Sequence, residues 1–83
     1  MTAARAFEVI VRRTGLAPGR LAPADRYDHI EVVAVDELEV VLFWDVAARA
    51  TGRMEAALRE DLRRLSSEEF IARWTAVEGE DDY

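Results

Sequence analysis

Apolar positions recur at helical spacing along most of the chain. After Thr2, a possible cap, Phe7, Ile10 and Val11 fall at i, i+3 and i+4, with Arg5, Glu8, Arg12 and Arg13 on the wet side, which predicts a helix over Ala3–Thr14. Gly15 is a natural stop. Residues 16–29, LAPGRLAPADRYDH, hold both prolines and a glycine and predict a long loop, pinned to the core by Leu16, Leu21 and Tyr27.

The middle of the chain supports two readings. IEVVAV and LEVVLFW, residues 30–35 and 38–44, are rich in β-branched and aromatic residues, as strands are. Asp36-Glu37 between them makes a poor two-residue hairpin turn, because such turns need positive φ and favour glycine. From Asp36 onward a helix fits better. Val40, Phe43, Trp44 and Ala47 fall on one face, and Asp36, Glu37 and Glu39 occupy the first turn, where the helix dipole favours carboxylates. Gly52 would close this helix. Met54, Leu58, Leu62 and Leu65 then mark a short third helix, and Ser66 with Glu69 forms a capping-box pattern. The last helix, 67–77, places Phe70, Ile71, Trp74 and Val77 on one side.

The expected fold is therefore all-α, a four-helix bundle of three main helices plus a short third one, with a long loop after the first. The alternative is a small α+β domain built on a hairpin over Ile30–Val46. Eighty-three residues suit one domain, taken as 1–77, followed by an acidic tail at 78–83. A chain this short buries roughly 60–65% of its unfolded surface, so its core has little margin.

Composition narrows the function. The net charge is −6 and every basic residue is arginine. An acidic domain repels nucleic-acid phosphates and is drawn to basic protein surfaces. No apolar run approaches the ~20 residues that span a bilayer, and no signal-peptide core is present. No cysteine is present, which suits the cytoplasm. His29 is the sole histidine, expected to bond with Asp28 and Glu31, and no second histidine supports a transition-metal site. Trp44 and Trp74 read as core residues, and Arg12-Arg13 and Arg63-Arg64 as solvated helix faces. No catalytic constellation is visible, so the chain is expected not to be an enzyme.

The order of these features, with Asp36-Glu37-Leu38 opening a helix after a proline-bearing loop, resembles the acyl carrier and peptidyl carrier protein family over nearly the whole chain. The loop residues Leu21, Pro23 and Tyr27 and the helix start at Ser66 add to the likeness. The family's triplet is Asp-Ser-Leu, and its serine carries 4′-phosphopantetheine. Glu37 occupies that position here, and a carboxylate cannot form the phosphodiester, so no cofactor is expected. The usual glycine before the triplet is also missing. The resemblance implies an atypical carrier of a fatty-acid, polyketide or nonribosomal-peptide type pathway, monomeric, docking biosynthetic enzymes on its second helix through Asp36, Leu38, Glu39, Val41, Leu42 and Asp45. Glu37 itself also reads as an ordinary first-turn acid, or as a carboxylate modified by a partner. An unrelated small helical adaptor or regulatory protein, binding a partner through an apolar patch, is the competing expectation.

Overall fold

The structure is a computed structural model and describes residues 2–13 and 27–77. It is α+β, not all-α. A single 3-10 turn, Ala3–Arg5, leads into strand β1, Phe7–Arg12. Strands β2, Tyr27–Ala34, and β3, Glu39–Ala47, complete an antiparallel sheet of order β1-β2-β3. Helices α1, Ala48–Arg64, and α2, Ser67–Thr75, follow. The acidic tail at 78–83 and most of the expected loop, with Gly15, Leu16, Leu21 and Pro23, lie outside the described residues.

Strand β2 organises the fold. Asp28, Ile30, Val32 and Ala34 are buried, and the residues between them are not, so the strand has one dry and one wet face. Strand β1 pairs along it from Phe7 opposite Ala34 to Arg12 opposite His29. Its alternation, with Val9 buried and Glu8 and Arg12 exposed, shows why the expected first helix is absent. Phe7, Ile10 and Val11 fit helical spacing, but Phe7, Val9 and Val11 fit a strand equally, and three consecutive β-branched residues favour the strand.

The expected second helix is a hairpin. Residues 35–38 form a four-residue turn closed by the Leu38 amide donating to the Ala34 carbonyl over 2.8 Å. A turn of this length escapes the glycine rule for two-residue loops, and Leu38 supplies the positive φ, at 53°. Strand β3 then runs to Ala47, and α1 begins at once. Gly52 lies inside α1 on its exposed side and ends nothing.

Both helices lie on the dry face of the sheet. Met54, Leu58 and Leu62 of α1 are buried against the strands, on the face that their spacing indicates. The capping box at α2 forms as expected. Ser66 Oγ accepts from the Glu69 amide at 3.2 Å, and Glu69 Oε1 accepts from the Ser66 amide at 3.0 Å. Glu69 bonds in this way with its pKa lowered, because the Ser66 backbone and hydroxyl favour the carboxylate. An aromatic chain ties the layers together. Phe7 stacks on Phe70, Phe70 neighbours Trp74, and Trp74 meets Trp44 edge-on at 5.8 Å. Each indole N–H is satisfied, Trp44 by the Val77 carbonyl and Trp74 by Asp61.

Candidate functional site

With both helices on one side, the opposite face of the sheet meets solvent. Its tip is the 35–38 turn, anchored where the Val35 amide donates to the Ala6 carbonyl at 3.0 Å. Asp36, Glu37 and Glu39 surround the tip and are exposed. Leu38 projects between them, 84% exposed, with its left-handed backbone. For a residue other than glycine, asparagine or aspartate, that conformation is disfavoured by roughly 1 kcal/mol or more.

Below the tip, β3 carries a bulge. Val32 pairs with Leu42 and Val33 with Val40, so Val41 is extra. The bulge adds a second apolar side chain to the outer edge. Val40, Val41 and Phe43 are all exposed, Phe43 to 65%. Together with Leu38 they form an apolar stripe along the outermost strand of the sheet. Isolated surface apolars are ordinary, but contiguous ones on an edge strand mark association.

Further along the open face the stripe meets a polar band. His29 sits opposite Asp45, and its Nδ1 lies 3.0 Å from Asp45 Oδ1. Its Nε2 lies 3.1 Å from Glu31 Oε2, and Arg12 Nε reaches Glu31 at 3.5 Å. The Asp45 bond raises the pKa of His29 above its ordinary 6.5; partial burial opposes this, and Glu31 adds to it. The imidazolium donates to both carboxylates, whereas a neutral ring has only one N–H to give. The Phe43 ring lies 5.7 Å from the imidazole, so stripe and band are continuous.

The residues expected to dock a partner separate accordingly. Asp36, Leu38, Glu39, Val41 and Asp45 are exposed on the hairpin, while Leu42 turns inward and is half-buried. They share a strand and a turn rather than a helix face. Glu37 stands in the turn, away from any helix N-terminus, so the geometry that likened it to the carrier serine is absent. The helical reading puts Phe43 on one face with Trp44, and the hairpin separates them, with Trp44 buried and Phe43 outside. Of the two partners expected for His29, Glu31 is bonded to it, and Asp45 takes the place of Asp28. Asp28 points to the dry face, where its carboxylate accepts from Thr51 Oγ1 at 2.8 Å and pairs with Arg13 at 3.3 Å. The role of Asp45 follows only from strand pairing and left no local signal.

Elsewhere, two open depressions flank Phe7. Arg59 and Arg63, which line one of them, are already paired with Glu55 and Glu60. Among the described residues no group of three or more His, Cys, Asp or Glu side chains is placed to hold a metal ion, and no helix is long and apolar enough to cross a membrane. No protein family, curated protein or solved structure was found to match the chain.

Proposed function

We propose that the chain is a small, non-enzymatic binding module that docks a protein partner through the outer side of its β2–β3 hairpin. The observation that carries this reading is the stripe of Leu38, Val40, Val41 and Phe43, exposed together on an edge strand and the turn that leads into it. Such an edge offers unpaired backbone groups and apolar side chains to an added strand, the recognition mode in which main-chain bonds give affinity and side chains give specificity. Holding a leucine in left-handed backbone at a solvent-facing tip costs stability, which is consistent with selection for contact. The only histidine is engaged on both ring nitrogens, a poor arrangement for a general base. The acidic surface suits a protein partner rather than nucleic acid, and a chain without cysteine suits the cytosol. The carrier role is not carried forward, because the acid-led helix that it required is a hairpin.

A photo-crosslinking residue at Leu38 or Phe43, introduced in the source cells, tests the reading. Discrete adducts are expected from both positions, with none from Arg64 on the exposed side of α1. Adducts that are absent, or equally frequent from Arg64, would overturn it.

A further inference from the structure

We propose that the partner is a second copy of this chain, joined β3 to β3 in antiparallel pairing about a two-fold axis near Phe43. The result is a continuous six-stranded sheet. This proposal rests on the docking role of the hairpin and names its occupant.

Three observations favour self-pairing. First, β3 is the terminal strand, nine residues long, and among the described residues nothing pairs with its outer side. Proteins protect such edges with lysine, proline or inward charge. The chain has no lysine and β3 has no proline. Its defences lie toward the ends of the strand, the Glu39 charge and Val41 bulge at one and Asp45, already engaged by His29, toward the other, and Leu42–Trp44 between them carries none.

Second, the strand is compatible with itself. With Phe43 on the axis, the regular stretch Leu42–Trp44 pairs with its own copy, and Asp45 falls opposite the Val40–Val41 bulge of the second copy. No like charges then oppose each other, and Asp45 keeps its His29 partner. Sliding each copy by one position, to centre on Leu42, brings Asp45 toward Glu39 of the second copy, and opposed like charges destabilise a strand pair. Phe43 at the axis supplies the central aromatic anchor typical of strong interfaces.

Third, charge is complementary about the axis. Antiparallel pairing directs the hairpin tip of one copy, with Asp36, Glu37 and Glu39, toward the start of α1 in the other. That helix begins without help from its own residues: Ala47 at the N-cap makes no side-chain bond, and the first turn holds no acid. Arg49 stands in that turn instead and Arg53 in the next, both exposed. Cations at a helix N-terminus oppose its dipole, and a nearby acid favours it. The acidic tip of a second copy meets both needs.

The test uses the purified full-length chain. Sedimentation from low to high micromolar concentration should show a monomer–dimer equilibrium. Phe43→Lys should abolish the dimer while leaving the circular dichroism spectrum and melting of the dilute protein unchanged. Arg49→Glu should weaken the dimer roughly tenfold, and Glu37→Arg in the same chain should restore part of that loss. Because the chain has no cysteine, Phe43→Cys gives a single thiol on the axis. Directly opposed strand residues lie within disulfide reach, so mild oxidation should link the dimer rapidly, and Arg64→Cys should not do so. A wild-type chain that stays monomeric at high micromolar concentration, or a dimer indifferent to Phe43→Lys, overturns the proposal. If the chain is monomeric yet crosslinks a different protein in cells through Leu38, the docking role stands and the second copy is excluded. If it is monomeric and no adduct forms, both fall.

Discussion

Asp28 and His29 are consecutive on one strand and face opposite worlds. Asp28 points to the helices, is 1% exposed, and is held by the Thr51 hydroxyl and the Arg13 guanidinium. His29 points to solvent, bridges Asp45 and Glu31, and lies against the exposed ring of Phe43. The dry face holds charge only where every partner is fixed, because an unmet buried charge is costly. The wet face tolerates exposed apolar side chains and titratable groups, because water compensates for both. Stability therefore resides on one face of this sheet, and recognition has room on the other.

The largest effects should follow from exchanging the same truncation between faces. Phe70→Ala removes a wholly buried ring from the aromatic chain and should cost about 3–5 kcal/mol, enough to unfold much of so small a domain. Phe43→Ala removes an equal ring from the open face and should change the stability of the dilute chain by less than about 1 kcal/mol. Urea unfolding of the two variants decides. Equal losses would mean that Phe43 is covered in the folded chain, and the contrast between faces would fail.

Next in size is the buried carboxylate itself. Asp28→Ala leaves the Thr51 hydroxyl only the more distant Ala47 carbonyl, at 3.4 Å, and frees Arg13 of its closest partner, so a loss of about 1–3 kcal/mol is expected. Thr51→Val should cost less, since the carboxylate keeps Arg13. Equilibrium unfolding that ranks the two in reverse would give Thr51 a packing role larger than its hydrogen bond.

The same division of faces explains how far the sequence could be read. Met54, Leu58 and Leu62, and then Phe70 and Trp74, serve one dry side of a helix, and their spacing is unambiguous. The Ser66–Glu69 cap is a local device and was visible as such. Strand β3 is apolar on both faces, with Trp44 and Val46 inward and Val41 and Phe43 outward, so alternation of polarity is missing. The bulge at Val41 breaks what period remains, and Val40, Phe43, Trp44 and Ala47 then mimic a helix face. The turn hid itself as well, because leucine stands at the position where glycine is expected. For the site, the exposure of Leu38, Val41 and Asp45 was legible although their secondary structure was not. The His29–Asp45 pair joins residues sixteen apart through strand register, which no local pattern encodes.

A smaller effect, of at most about 1 kcal/mol for so accessible a pair, belongs to His29. Its folded pKa is raised above 6.5, chiefly by Asp45. A raised pKa means that the folded chain holds this proton more tightly than the unfolded chain. The contribution is complete below pH 6.5 and disappears as pH rises through the folded value. Unfolding free energy compared on the two sides of that interval should fall toward high pH in the wild type. His29→Gln should remove that component of the slope, and an unchanged slope would assign it to other groups.

The smallest expected change in stability is the most informative about the hairpin. Leu38 is exposed, so Leu38→Gly loses almost no buried surface, and glycine adopts a φ of 53° without the clash that leucine suffers. Glycine also gains freedom in the unfolded chain, which offsets part of the relief. The net should be a gain of a few tenths of a kcal/mol, up to about 1, seen as a higher urea midpoint in the dilute chain. Binding should move the other way, since the substitution deletes the most exposed apolar group of the stripe. A variant that is more stable yet associates less would show that the left-handed leucine is retained for contact at the expense of the fold. If it is more stable and associates equally well, the contact begins at Val40 and leaves the tip of the turn outside it.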